Sequence, residues 1–155
     1  MSPASYSPAS LAKRVAQKAD KEQLLKELQA ADALRDSGWG QDPERAVAQR
    51  AYMKSPMPFR GLGKPELTVL LRPLLGDRAL VPHTREEWSD AVRDLVDHAT
   101  HREEWYAALA VAGHRVARPW QDPDTLALYR YVVTSTCWWD IVDPVAADFI
   151  GPILL

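Results

Sequence analysis

The sequence predicts an all-α protein, and three observations carry that expectation. Apolar residues recur at intervals of three and four, and strand-like alternation is almost absent. Helix-start signals return along the chain: Ser, Thr or Asp followed by Pro, or by Glu three residues later. The segments between them are short and polar.

The elements follow in order. Ser10 is placed to cap a first helix reaching about Asp36, with Leu11, Val15, Leu24, Leu25 and Leu28 on it. Asp42-Pro43 opens a second helix to about Met53, with the aspartate as N-cap and proline in the first turn. Pro65 opens a third through Leu67, Leu70, Leu71, Leu74 and Leu75, which Pro73 should bend or shorten. Thr84 with Glu87 forms a capping box for a fourth, to about His98, and Thr100 with Glu103 repeats the signal for a fifth, to about Val116. Asp122-Pro123 starts a sixth helix through Leu126, Leu128, Tyr131 and Val132, and Asp143-Pro144 starts a seventh.

About seven helices with start signals roughly 35–45 residues apart per pair suit a HEAT-like superhelix of antiparallel helix pairs in a right-handed stack. A compact bundle is the other arrangement the pattern allows. Residues 1–155 are expected to form a single HEAT-like repeat domain. The apolar end, Phe149-Ile-Gly-Pro-Ile-Leu-Leu155, stops where a solenoid would place a polar capping repeat, so the stack is expected to be truncated at the C-terminus, or else to cover that face by another route.

Composition narrows the function classes. The 155 residues are 46% hydrophobic and 26% charged, the balance of a folded globular domain. There is no run of 18 apolar residues to span a membrane and no secretory pattern at the N-terminus. One cysteine, Cys137, rules out an internal disulfide and a multi-cysteine zinc site, and fits a cytoplasmic location. The net charge of −2 hides an asymmetry: residues 1–79 balance at +4 and residues 80–155 at −6, with all six lysines in the first 64 positions. A phosphate-facing surface would therefore lie on the N-terminal half.

Two clusters carry candidate chemistry. Thr134-Ser-Thr-Cys-Trp-Trp-Asp-Ile-Val-Asp143 sets two adjacent tryptophans beside two carboxylates. Neighbours on a helix point about 100° apart, so one of Trp138 and Trp139 is expected in the core and the other on a groove. Trp139 and Asp143, four apart, would share a helix face. Asp143 before Pro144 also reads as an N-cap, held by backbone N–H groups and suited to act as a fixed anion. The second cluster, Tyr52-Met-Lys-Ser-Pro-Met-Pro-Phe-Arg-Gly-Leu-Gly-Lys-Pro65, is a turn carrying Lys54, Arg60 and Lys64 with the rings of Tyr52 and Phe59. Lys64 precedes a helix whose first N–H groups are free, a ready phosphate contact. Read plainly, the segment is a solvated loop with Phe59 plugging the core. His83, His98, His101 and His114 have no ligand spacing, and Glu86-Glu87 and Glu103-Glu104 read as first-turn partners of the helix dipole.

Taken together, Ala51-Tyr-Met-Lys54, Phe59-Arg-Gly-Leu-Gly-Lys-Pro-Glu-Leu67, Cys137-Trp-Trp-Asp-Ile-Val-Asp143 and Phe149-Ile-Gly151 resemble the DNA alkylation repair family, the AlkD-type HEAT-like DNA glycosylases, over its N-terminal two thirds. The resemblance implies a helical superhelix whose concave face takes duplex DNA. It implies excision of cationic N3- and N7-alkylated purines by hydrolysis of the N-glycosidic bond, without drawing the base into a pocket. Asp143 matches the family's catalytic aspartate and Trp139 the tryptophan four residues before it. Tyr52 and Trp138 would line the lesion side, and Lys54, Arg60 and Lys64 the phosphate side. No metal or organic cofactor is implied, and the expected partner is double-stranded DNA carrying alkylated bases. The family's further helices, with another arginine and tryptophan on the groove, have no counterpart among these residues. A non-catalytic helical-repeat module for damaged or branched DNA or for a protein is the alternative, and a protein scaffold without DNA is a third.

Overall fold

The computed structural model describes residues 8–18, 43–76 and 80–155, and among them every regular element is helical. The helices are α1 (Pro8–Lys18), α2 (Pro43–Met53), α3 (Lys64–Gly76), α4 (Arg85–Asp97), α5 (Arg102–Ala112), α6 (Leu126–Thr136) and α7 (Trp139–Pro144). A π-helical turn (Val145–Ile150) continues α7 into α8 (Gly151–Leu154), and 3₁₀ turns at Arg115–Trp120 and Pro123–Thr125 link α5 to α6. The expected reach of the first helix beyond Lys18, and the Asp42 cap, fall outside the described residues.

Two antiparallel pairs are anchored by aromatic side chains. The Trp88 indole N–H at the start of α4 donates to the Val111 carbonyl at the end of α5 (3.0 Å), and Trp105 near the start of α5 donates to Val96 near the end of α4 (3.2 Å). Start meets end in both bonds, so the two helices run in opposite directions. Tyr129 on α6 stacks on Phe149 of the π turn at 5.3 Å, which returns the last segment along α6 in the same way. Trp88 ties the pairs together, 5.7 Å from Trp120 and edge-on to Tyr129 at 6.4 Å. Burying a ring of this size contributes upwards of about 1.5–3 kcal/mol, with roughly 0.5–1.5 more from each well-oriented aromatic pair. Leu11 and Val15 of α1 close the other side of α4.

Several helix starts lie where the sequence places them. Thr84 caps α4, its Oγ1 accepting from the Glu87 N–H at 3.1 Å, while the Glu87 carboxylate takes the His83 N–H at 2.7 Å. Asp122 caps the 3₁₀ turn that opens α6. Others are corrected. Ser10 lies inside α1 rather than at its cap, and α3 is not shortened at Pro73 but runs on to Gly76. The cap of α5 is His101, not Thr100, and its N–H donates to Glu104 at 3.2 Å, not to Glu103. The Pro58 carbonyl accepts the Arg102 N–H at 3.0 Å, which fixes this register and turns Arg102 and Glu103 inward.

The largest correction concerns the last helix. Asp143 is not an N-cap. Cys137 adopts a left-handed backbone (φ 54°) and ends α6, and the new helix starts at Trp138, whose carbonyl accepts from Ile141 and Val142 at 3.0 and 2.9 Å. The break therefore falls before the tryptophans finish, ahead of the proline. Ile141 and Val145, four apart and both fully buried, need helix on either side of Pro144 to share a face. Pro144 has no N–H for the Asp140 carbonyl, and the pairing then widens, so that Gly151 donates to Ala146 five residues back.

Candidate active site

Three faces of α7 point to three environments. Ile141 and Val145 enter the core. Asp140 turns to α5, where Nη2 of Arg102 meets both carboxylate oxygens at 2.5 Å and the Tyr106 hydroxyl donates to Oδ2 at 2.5 Å. Trp139, 57% exposed, and Asp143, also exposed, lie one turn apart on the third face and line a groove of about 570 Å³. It is lined as well by Met53 at the end of α2, by Lys64, Leu67 and Leu71 on α3, and by Tyr106 and Leu109 on α5.

The electrostatics of the groove favour a cation. Asp140 is matched by Arg102, which leaves Asp143 and Asp148 facing the groove against Lys64 alone among the described residues. Among the described residues, Asp143 has no hydrogen-bond or ion-pair partner. An indole face and an unmatched carboxylate on one helix turn attract a positively charged, flat or sugar-like group. A phosphate would be repelled by the carboxylates and accepted at the rim, where Lys64 is exposed at the start of α3.

The remaining expected site residues divide. Tyr52, 80% exposed, and Lys54, with φ 52°, flank the groove-lining Met53 without lining the groove themselves. Trp138 is half-buried, packed on the core with the Arg102 guanidinium 4.9 Å from its ring, so it lies beneath the site. Arg60 is a correction. Its guanidinium bonds Glu104 at 2.8 Å and its N–H bonds both oxygens of buried Glu103 at 2.8 and 3.0 Å, so it faces the protein rather than a phosphate. An arginine beside two buried carboxylates gains more from that pair than from a solvated surface position.

Sequence reasoning missed Arg102, Glu103, Tyr106 and Asp148. One signal was available: Glu103 lies four before Ala107 and eight before Val111, on the apolar stripe of α5, where a first-turn acid serving only the helix dipole has no reason to be. Glu103 holds the turn that leads to Lys64, because its carboxylate also accepts from Gly61 at 3.3 Å, where the backbone is left-handed (φ 90°). Burial raises the Glu103 carboxyl above its ordinary 4.5, against the lowering effect of these N–H donors. The folded state therefore binds this proton more tightly than the unfolded state. The stability it contributes is present below about pH 4.5 and lost as pH rises through the raised folded value. Urea unfolding from about pH 4 to 7 should show this decline in the wild type, with the slope reduced in Glu103→Gln. Identical slopes would place the titration elsewhere.

Among the described residues, no group of three His, Cys, Asp or Glu is placed to hold a metal ion, and no helix is long and apolar enough to cross a membrane. No match was found among curated proteins. The family model for the DNA alkylation repair enzyme matches residues 32–155, a span that includes every helix from α2 to α8 and every residue of the groove. The chain belongs to the DNA alkylation repair enzyme family, and its role is in alkylation repair.

Proposed function

We propose that the chain is a DNA glycosylase that releases cationic N3- and N7-alkylated purines from double-stranded DNA. A ring alkylated at N3 or N7 carries positive charge, so its departure from C1′ with the bonding electron pair yields a neutral base. Acid catalysis is then dispensable. What the reaction needs is an anion beside the oxocarbenium-like sugar and a placed water, which adds to C1′ and gives up a proton. Asp143 supplies both the anion and the acceptor that orients that water. Trp139 offers its ring face to the electron-poor deoxyribose, worth about 0.5–2 kcal/mol. Lys64 takes a phosphate at the rim, and Lys54 and Tyr52, exposed on the α2 side, extend the contact along the strand. The two antiparallel pairs agree with a HEAT-like arrangement, and we read residues 1–155 as one such domain acting in the cytoplasm, without metal or organic cofactor.

The observation that carries this reading is the shared face of Trp139 and Asp143 in one groove. It is tested by incubating the protein, in excess, with duplex DNA carrying a single 7-methylguanine, and following the free base and the alkali-labile abasic site. Release well above the spontaneous rate is expected. Salt-dependent binding of that duplex with no release would overturn the enzyme reading and leave a DNA-binding module. The absence of any DNA binding would leave a protein scaffold.

A further inference from the structure

Trp139 poses a physical question. A tryptophan left 57% exposed forgoes much of the stabilisation its burial would give, and it has a buried core beside it. Its two chain neighbours supply the answer. Trp138 lays its ring 4.9 Å from the Arg102 guanidinium, and Asp140 bonds the same guanidinium through both oxygens at 2.5 Å. Arg102 is fully buried and is boxed by Trp105 at 4.8 Å and Phe59 at 5.7 Å as well. Trp138 is extended (φ −115°, ψ 138°), so side chains alternate there, and with Trp138 and Asp140 both on one buried cation the side chain between them points away from it.

Tyr106 completes the arrangement. Its hydroxyl donates to Asp140 Oδ2, and the same residue lines the groove. Burial, followed by the Asp140 hydrogen bond, raises its phenol above the ordinary range, so it stays a donor through neutral pH. We propose that Arg102 and Tyr106 are positioning residues: acting through Asp140, they fix the start of α7 so that Trp139 and Asp143 face the groove together. The role of that pair in catalysis rests on the function proposed above, whereas the positioning itself does not.

Tyr106→Phe tests this with the smallest change, because only one hydroxyl is lost and Arg102 still holds Asp140. The protein is labelled with 5-fluorotryptophan, and the Trp139 signal is identified by its disappearance in Trp139→Phe. In Tyr106→Phe the Trp139 fluorine resonance is expected to broaden or split, while that of buried Trp88 stays where it was. A Trp139 resonance as sharp as the wild type's, at the same shift, would overturn the proposal. In the excision assay the single-turnover rate should fall roughly 10-fold with DNA affinity unchanged, since misplacing a reacting group slows chemistry without weakening binding. In an Asp143→Asn background the same substitution should add little, because the two act on one step. Should the wild type release no base, the glycosylase reading fails and the fluorine signals alone decide the positioning.

Discussion

Asp143→Asn is expected to slow release of 7-methylguanine by about 10²–10³-fold at saturating protein, the usual cost of removing one preorganised electrostatic group from a transition state. Asparagine keeps the shape of the side chain and one of its oxygens but not the charge. The fold should not notice, since Asp143 is exposed and without a partner among the described residues, and exposed substitutions usually fall within about 0.5 kcal/mol. Affinity for undamaged DNA should hold or rise slightly, because a carboxylate is removed from the approach of phosphates. Rate and binding therefore part company in this variant, and single-turnover kinetics beside a binding isotherm separate them. Equal rates in the two proteins would mean that base loss owes nothing to the Asp143 charge. Asp148, which shares the groove, would then be the anion to remove next.

Where a local signal was also the strongest physical force, it was readable from the residues. Thr84 with Glu87 caps α4, and Asp122 before Pro123 caps the 3₁₀ turn that leads into α6, the Asp122 carboxylate keeping that role although Arg85 also bonds it. The spacing of Trp139 and Asp143 placed them on one face of a helix, and they share one. Asp143-Pro144 carries the same local signal as Asp122-Pro123 with the opposite outcome, because burial of Ile141 and Val145 and the Asp140–Arg102 pair hold helix on both sides of the proline. That consequence could not be read locally: Arg102 is 38 residues from Asp140 in sequence. Arg60 failed for the same reason. It looks like a basic loop residue until Glu103 and Glu104, more than 40 positions on, are seen to receive it. The spacing from Trp139 singled out Asp143 of the two carboxylates, but the inward pairing of Asp140 with Arg102, which leaves Asp143 unmatched among the described residues, could be seen only in the fold.

That separation leads to the largest expected change in stability. Asp140→Ala should lower the free energy of unfolding by about 3–5 kcal/mol, the range for removing one partner of a buried ion pair. The side chains are 0% exposed for Arg102 and 12% for Asp140, so water cannot replace the lost carboxylate at the guanidinium. Among the described residues, Nε and Nη1 of Arg102 already lack hydrogen-bond partners, and the guanidinium lies against aromatic rings, which leaves Nη2 to carry the pairing. Alanine strands that group and the Tyr106 hydroxyl together. The penalty belongs to the orphaned charge rather than to the pair as such. Arg102→Met in the same chain should therefore recover much of the loss, since methionine fills the aromatic box without a charge to satisfy. Urea unfolding of the three proteins measures this. A loss under about 1 kcal/mol in Asp140→Ala is what an exposed pair would give, and it would mean that Arg102 reaches solvent. An additive loss in the double variant would mean that the box needs the cation for its own packing.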